Sequence, residues 1–573
     1  MMLKKYQESF NPKDIPPAYI LRFFILISAV ILRSWGLGFG LPNRSCRPDE
    51  ELITDIAASF LNHFHPQTFF YPSFYKYLVM FFYLIYYGLG RICGQFSNYI
   101  GFLFTYAVKP QVFFLISRSI SVVLGSASVY MVYLIARRLF KEKEALLSAL
   151  YLAMAYLHVR DSHFGVTDVP ATFFILVSIF FIIKAFNDYS LKNYSFAAIF
   201  AGLAASTKYS GALLIVPMFL AHFFNVFSSK AKIIKLVFDK KIILFVALMA
   251  LFFIIGSPYV LLDFPQFKND LLYEWRHLAR GHGIMLGRGW FYHLKFSLFY
   301  GLGFSLFLSG LAGILVSLRQ NPKKTLVLLS FPFAYFLLAG KGHTVFVRYS
   351  IPLVPFLCIS AAVFSVFIIN KFKTRTRILT GFCLVVFLLY PSVLNIIKFN
   401  ILLSRPDNRL VTGQWVHMNI PQGNSIFQTG SEWGKVELWH KPNKNPRFFL
   451  WMKFKDRKKV LELIDNYRKD NNIIGYEQWD FDCKSKTFLY KGQNQKGLPG
   501  YIFVQRSPLQ YSKVPQEIEL LLIKHYTLLK SFEASDLSNK KNIYDRQDAL
   551  FMPYAGFNKV KRPGPNFYIY KRI

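Results

Sequence analysis

Two adjacent carboxylates, Asp49 and Glu50, are the first residues of this chain whose type and position point to chemistry. They stand in an Arg-Pro-Asp-Glu-Glu stretch that follows the first long apolar run, residues 18–41. A membrane-spanning helix would emerge into water near this stretch, and a carboxylate placed there can take a proton from an incoming nucleophile. The structural alternative is that Asp49, after Pro48, caps the N-terminus of a helix.

Ionisable side chains also lie at the borders of later apolar runs. Asp168 stands just before one run, and Lys208 lies between two closely spaced runs. Arg160, His163 and Arg348 occupy similar borders. A charge at the bilayer centre costs about 2.5–3.5 kcal/mol, so such residues are candidates for a functional site. The basic members could bind an anionic headgroup, and the acidic members could activate a hydroxyl or amine nucleophile. The structural alternative is that these side chains anchor the helices at the membrane interface.

Composition indicates that membrane-spanning helices position these residues. Of 573 residues, 53% are hydrophobic, 18% aromatic and only 17% charged. Apolar runs of about twenty residues, long enough to cross a bilayer, predict about eleven crossings. The predicted crossings are residues 18–41, 111–136, 145–159, 169–186, 194–206, 211–227, 242–256, 293–318, 325–340, 349–369 and 378–397.

The distribution of basic residues predicts the orientation of these crossings. The net charge is +37, but much of the excess lies in short loops between apolar runs, which argues against nucleic-acid binding. With the basic loops and the amino end in the cytoplasm, the ionisable residues described above fall on the outer side. The sequence therefore predicts a multi-pass protein of the plasma (inner) membrane.

The character of the chain changes after residue 402. Polar, aromatic and charged residues mix there, and no apolar run is long enough to cross a bilayer. Residues 500–504 are typical of a strand and residues 514–529 of an amphipathic helix. We therefore predict a transmembrane domain at residues 1–402, with a catalytic first outer loop at about residues 42–75. An extracytoplasmic α/β soluble domain follows at residues 403–573. The sequence leaves open whether residues 77–108 form an extra membrane hairpin.

Six different motifs follow one another within about residues 18–400. The motifs are residues 47–50, 71–74, 118–140, 160–168, 206–211 and 348–355. The ordered set resembles the polytopic glycosyltransferases that use lipid carriers, the GT-C class, which include protein O-mannosyltransferases and the aminoarabinose transferases of lipid A. The resemblance implies a GT-C fold and an inverting transfer of one sugar from a polyprenyl phosphate to an acceptor at the outer membrane face.

The resemblance also assigns roles to residues. The family's acidic residues of the first outer loop map to Asp49, with Glu50 beside it, and its later acid maps to Asp168. Asp49 would then take the acceptor's proton. Lys208 and Arg348 are the main candidates for binding the donor phosphate.

Arg160 and His163 belong to the same matching set, as further candidates for the donor phosphate. In two places the chain departs from the family. Tyr71-Pro72-Ser73 replaces a Lys-Pro-Pro motif that contacts the donor phosphate in many relatives. Phe69 and Phe70 stand where the aminoarabinose transferases place a metal-ligating acid, which argues against a divalent metal site and leaves His282 as a candidate remnant of one. No cofactor is predicted with certainty.

These observations predict a membrane glycosyltransferase whose partners are the bilayer, a polyprenyl-phosphate sugar donor and an acceptor. The acceptor can be protein, lipid A or an envelope glycan, and the sequence does not identify the sugar. The alternative is a transporter or flippase of lipid-linked sugars. A transporter would place ionisable groups near the bilayer midplane and often has paired repeats, neither of which this sequence displays.

Overall fold

The computed structural model describes residues 17–61, 63–229, 233–439 and 447–573. The predicted cytoplasmic amino end therefore lies outside the described residues. Helices precede the soluble domain throughout: α1 Pro17–Ser34, α2 Glu50–Ser59, α3 Phe74–Ile92, α4 Tyr99–Val108, α5 Gln111–Leu139, α6 Glu142–Ala153, α7 Tyr156–Asp161, α8 Asp168–Asp188, α9 Leu191–Thr207, α10 Ile215–Ser228, α11 Lys235–Phe238, α12 Lys240–Gly256, α13 Tyr259–Leu262, α14 Phe264–Arg280, α15 Gly289–Tyr292, α16 Phe299–Leu302, α17 Phe304–Gln320, α18 Pro322–Lys341, α19 Val354–Ile369 and α20 Arg377–Leu403. 3₁₀ segments of six and seven residues lead into α10 (Tyr209–Leu214) and α19 (Val347–Leu353), and a π-helical segment, His293–Leu298, precedes α16.

Six of the described helical segments are long and apolar enough to cross a membrane. They are Gln111–Leu139, Asp168–Asp188, Tyr209–Ser228, Pro322–Lys341, Val347–Ile369 and Arg377–Asn419. Each contains a predicted crossing, so the expectation of a multi-pass helical membrane protein is confirmed. Helices α9 and α12, of 17 residues each, contain two further predicted crossings. The 18-residue α1 ends at Ser34 and covers only the first part of the crossing predicted at residues 18–41. The total of about eleven crossings stays a prediction.

The predicted crossing at residues 293–318 is not a single straight helix. Gly289–Leu302 and Phe304–Gln320 meet at an angle of 115°. The break lies at Gly303, whose φ of +80° favours glycine. A Cβ at this position would come within 2.9 Å of Pro391 Cβ, so α20 packs where only a glycine leaves room. The two halves together provide a seventh candidate crossing.

Helices α3 and α4 form the stretch, residues 77–108, for which the sequence leaves an extra membrane hairpin open. The Tyr75 hydroxyl donates to the Ser117 carbonyl and the Tyr83 hydroxyl to the Phe113 carbonyl, so α3 runs antiparallel to α5 and past its N-terminal end. Helix α4 has ten residues, about 15 Å, which is half the thickness of a bilayer core. The Tyr99 hydroxyl donates to Asp456 of the soluble domain at 2.6 Å. The α3–α4 pair therefore lies beside the soluble domain.

The soluble domain contains a seven-stranded mixed sheet, in the order β4-β3-β2-β1-β5-β7-β6. Its elements are α21 Asn408–Asn419, β1 Ser425–Gln428, α22 Phe454–Asp470, β2 Glu477–Asp482, β3 Thr487–Tyr490, β4 Gln493–Gln495, β5 Tyr501–Arg506, α23 Gln516–His525, β6 Tyr526–Phe532 and β7 Asn566–Arg572. Strand β1 is parallel to β2 and β5, and the other pairs are antiparallel. This arrangement confirms the predicted α/β class.

The prediction of one helix over residues 514–529 is correct only in its first part. Helix α23 ends at His525, and residues 526–532 form the edge strand β6. The apolar Leu528 and Leu529 continue the helical pattern, but both are largely exposed. Pairing with β7 satisfies the backbone of this segment, so tertiary context overrides the local pattern.

Candidate active site

Asp49 precedes helix α2 with its backbone in the left-handed region, at φ 70°. Aspartate adopts this conformation more readily than most residues, and such strained positions cluster at functional sites. The Asp49 side chain accepts no hydrogen bond from the first turn of α2, which removes support from the capping alternative. Its Oδ2 instead accepts hydrogen bonds from the Tyr71 hydroxyl at 3.0 Å and from Arg348 Nη2 at 2.8 Å.

Asp168 and Lys208 form a second pair beside the first. Asp168 is the first residue of α8, where a carboxylate also interacts favourably with the helix dipole. Lys208 directly follows α9, and its ammonium donates to Asp168 Oδ1. The same ammonium lies 4.8 Å from the centre of the Tyr349 ring. Two predicted residues from separate apolar runs are thus in contact.

Arg348 connects these two pairs. It lies in the 3₁₀ segment that leads into α19, and its guanidinium faces three carboxylates. Nη2 donates to Asp49, Nη1 donates to Asp548 Oδ2 at 2.9 Å, and Nε lies 4.0 Å from Asp168 Oδ2. We call Asp49, Asp168, Lys208 and Arg348 the central cluster. It combines carboxylates at the N-terminal ends of α2 and α8 with cations after α9 and in the 3₁₀ segment before α19.

Glu50 lies apart from the central cluster. Its carboxylate is buried and accepts two hydrogen bonds from Arg118, at 2.8 and 2.7 Å. The backbone N–H of Gly165 donates to the same carboxylate at 2.7 Å. All these partners hold Glu50 between α2, α5 and the loop after α7. We therefore do not retain Glu50 as a reacting group.

Arg160 and His163 also lie outside the central cluster. Arg160 donates to Asp161 at 2.7 Å and stacks over the Tyr554 ring at 5.3 Å. Both ring nitrogens of His163 lie within hydrogen-bond distance of backbone carbonyls, those of Val159 and Trp35. Both side chains are buried, and their assignment to the donor phosphate stays a prediction.

Two acidic residues near the central cluster were not predicted. Glu274 lies on α14, and burial together with the Asp49 carboxylate raises its pKa to about 7. Asp548 comes from the soluble domain and reaches Arg348. Glu274 stands in an amphipathic loop helix, a pattern that sequence reading can find. Asp548 follows Arg348 by 200 residues, and no local pattern links the two.

No metal site is apparent among the described residues, which contain no group of three or more His, Cys, Asp or Glu placed to hold an ion. His282, the predicted remnant, pairs with His277 at 2.9 Å between Nδ1 and Nε2. Burial and the charge of nearby cations lower the pKa of both rings, so each favours its neutral form.

The sequence profile of a family described as dolichyl-phosphate-mannose-protein mannosyltransferase matches residues 114–261. The matched stretch contains Asp168 and Lys208 but neither Asp49 nor Arg348. Comparison with curated proteins gives no match.

Solved structures of an oligosaccharyltransferase and of ArnT resemble nearly the whole chain. The oligosaccharyltransferase of Archaeoglobus fulgidus with a tethered acceptor peptide is 13% identical, with a TM-score of 0.51 over 96% of this chain and 88% of that chain. ArnT of Cupriavidus metallidurans bound to undecaprenyl phosphate is 11% identical, with a TM-score of 0.49 over 96% of this chain and 97% of that chain. The first of these matches shows that the chain has the GT-C fold, which confirms the resemblance found in its motifs.

Proposed function

We propose that the chain is an inverting glycosyltransferase that moves a sugar from a polyprenyl-phosphate carrier to an acceptor. The observation that carries this proposal is the central cluster, which presents one accessible carboxylate and one accessible ammonium. The side chains of Asp49 and Lys208 are 28% and 16% exposed, whereas those of Arg348 and Asp168 are 5% and 3% exposed. A transfer from phosphate needs both an acceptor for a proton and a cation for the departing phosphate.

Lys208 is the member best placed to hold the donor phosphate. Its ammonium has three N–H donors, and among the described residues it has one hydrogen-bond acceptor, Asp168. Arg348, predicted for the same task, already has carboxylates at its guanidinium nitrogens. We therefore assign phosphate binding to Lys208 and a positioning role to Arg348.

Asp49 is our candidate for the general base. Its Oδ2 is held by Tyr71 and Arg348, while Oδ1 accepts no hydrogen bond from any residue that the structure describes. In the proposed reaction the acceptor attacks the anomeric carbon from the face opposite the phosphate, and its proton passes to Asp49. The bond between that carbon and the phosphate oxygen breaks, and polyprenyl phosphate leaves. Phosphate departs without prior protonation, so stabilisation of its charge is the larger requirement.

The comparisons support a lipid-linked donor. The matching profile is named for a family that uses dolichyl-phosphate-mannose and acts on protein. The similar oligosaccharyltransferase structure carries an acceptor peptide. Protein, lipid A and envelope glycan remain the candidate acceptors. The transporter alternative gains no support from these comparisons, and the central cluster lies at helix ends rather than at the middle of spans.

We further propose that the reaction takes place on the outer face of the plasma (inner) membrane. Trp433 and Asp548 of the soluble domain contact Glu51 and Arg348, so this domain and the central cluster share one side. The basic loops of the chain lie at the opposite ends of the crossings, which the positive-inside rule assigns to the cytoplasm. The transmembrane domain would then be residues 1–402 and the extracytoplasmic domain residues 403–573.

Release of the lipid tests the proposal directly. The purified chain is incubated with undecaprenyl-phosphate mannose and an envelope extract from cells that lack the chain. We expect undecaprenyl phosphate to be released only when the extract is present, and mass spectrometry of the extract to identify the modified molecule. A second donor sugar, aminoarabinose, is tested in parallel. Movement of intact lipid-linked sugar across vesicles without release of the lipid would favour the transporter instead.

A further inference from the structure

A turn of the soluble domain, residues 545–548, inserts beside the central cluster. Its Gln547 accepts a hydrogen bond from Val345 N at 2.6 Å and donates to the carbonyls of Ile284 and His343. Asp545 accepts a hydrogen bond from Val347 N at 2.9 Å. These contacts fix the turn against the backbone that leads directly into Arg348.

Asp548 is the residue of this turn that reaches the cluster. Its carboxylate is buried and accepts two hydrogen bonds from Arg47 Nη1, at 2.9 and 2.7 Å, and one from Arg348 Nη1 at 2.9 Å. Burial alone would raise the pKa of Asp548, but the guanidinium groups of Arg47, Arg348 and Arg160 lower it below its ordinary value. Burial and the neighbouring Asp548 carboxylate raise the pKa of Asp545 above its ordinary value. Ion pairs with Arg47 and Arg348 favour the charged form of the Asp548 carboxylate.

The hydrogen bonds of Arg348 link the soluble domain to Asp49 of the transmembrane domain. One end of the planar guanidinium is held by Asp548, and the other end holds Asp49 Oδ2. Because the guanidinium is rigid, the position of Nη1 sets the position of Nη2 and hence of the Asp49 carboxylate. An acid–base group must lie within a few tenths of an ångström of its productive position to work well.

We propose that Asp548 is a positioning residue through which the soluble domain orients Asp49, by way of Arg348, for the transfer reaction. This inference rests on the proposed function, because it takes Asp49 to be the group that accepts the proton. In this assignment Asp548 acts through Arg348 and not on the donor or the acceptor itself. The soluble domain is then part of the active site and not an independent module.

The test compares full-length Asp548→Asn with the wild type, using the lipid-release assay and undecaprenyl-phosphate mannose. Asparagine keeps the size of the side chain but loses the charge that holds Arg348. We expect kcat to fall roughly ten- to a hundredfold, the loss typical of one charge-assisted hydrogen bond. The KM for the donor and the affinity for undecaprenyl phosphate should stay at wild-type values. Asp536→Asn, which breaks an exposed pair with Lys559 in the same domain, is the control and should leave kcat unchanged.

A double variant separates positioning from general destabilisation. In an Asp49→Asn background there is no base to orient, so Asp548→Asn should reduce the residual rate by less than about twofold. Wild-type kcat in folded Asp548→Asn, a loss confined to donor KM, or equal losses in both backgrounds would each overturn the inference.

A second variant applies if Asp548→Asn does not fold. Gln547→Ala removes the hydrogen bonds that hold the turn in place but changes no charge, and it should lower kcat in the same way. Unchanged kcat in that variant would also overturn the inference. Absence of lipid release by the wild type would instead refute the proposed function.

Discussion

Asp49 and Glu50 are neighbours in the chain, yet their carboxylates have different surroundings. The left-handed backbone of Asp49 turns its side chain towards Arg348, while Glu50 begins helix α2 and points at Arg118. The same two residue types therefore provide one accessible carboxylate and one enclosed ion pair. This difference leads to opposite expectations for their amide variants.

Glu50→Gln should reduce stability rather than the rate per folded molecule. It leaves the buried Arg118 guanidinium without a counter-charge, and removing one partner of a buried pair typically costs about 3–5 kcal/mol. Thermal unfolding in detergent measures this loss, and lipid release per folded molecule measures activity. Glu142→Gln, which breaks the half-exposed pair with Arg137, is the matched control and should cost at most about 1 kcal/mol. A Glu50→Gln variant that is stable but inactive would show that Glu50 takes part in the reaction.

Lys208→Ala should weaken use of the donor. Loss of one charge-assisted contact to phosphate costs roughly 1.5–3 kcal/mol, or about ten- to a hundredfold in kcat/KM. Binding of undecaprenyl phosphate should weaken by a similar factor. Lys341→Ala removes an exposed lysine at the end of α18 and serves as the control. Wild-type donor kinetics for Lys208→Ala would show that the lysine only anchors the chain at the interface.

At the level of residues, sequence reading found candidates by their position beside apolar runs. That rule predicts Asp168 and Lys208, which lie in contact, because both stand at helix ends. The same rule cannot distinguish the role of Lys208 from that of Arg160, since each is a cation at the border of an apolar run. Only the tertiary structure shows that Arg160 pairs with Asp161. Asp548 was missed because its partner is remote in sequence.

At the level of elements, helix α2 joins the soluble domain through Glu51. The Trp433 indole N–H donates to Glu51 Oε1 at 2.8 Å. Burial raises the pKa of Glu51 from its ordinary 4.5 to about 8, although the hydrogen bond from Trp433 works in the other direction. The folded state therefore favours the neutral carboxylic acid of Glu51.

A pH dependence of stability follows from this shift. Because the pKa of Glu51 is higher in the folded chain than in the unfolded chain, its contribution is complete below about pH 4.5 and is lost as the pH rises through about 8. Glu51→Gln mimics the neutral form, so the Tm of the wild type should fall relative to this variant between about pH 5 and pH 8.5. Glu462→Gln, on an exposed position of α22, should show no such difference. Parallel Tm curves for Glu51→Gln and wild type would contradict the prediction.

Element boundaries were predictable where a helix spans the membrane. The apolar run at residues 169–186 becomes α8, Asp168–Asp188, because length and composition alone determine such a helix. The bend at Gly303 and the helix-to-strand change at Tyr526 were not predictable. Both depend on a remote partner, α20 in the first case and β7 in the second.

At the scale of the whole molecule, the soluble domain contacts the central cluster through Asp548. Reporter fusions test the side on which both lie. Fusions after Lys143 and Arg377 should report the cytoplasm, because basic loops remain inside, and a fusion after Leu403 should report the outside. A cytoplasmic signal after Leu403 would move the soluble domain, and with it the central cluster, to the inner face.

The most direct measurement is lipid release by Asp49→Asn, expressed per folded molecule. Asparagine preserves the size of Asp49 and its ability to accept hydrogen bonds from Tyr71 and Arg348, but it cannot serve as a base. We predict normal amounts of folded protein, unchanged binding of undecaprenyl phosphate and a rate lower by roughly 10²–10⁴. Glu274→Gln, the nearby carboxyl with a pKa of about 7, is measured alongside and should retain most of the activity. Near-normal release by Asp49→Asn would contradict the assignment of Asp49 as the base.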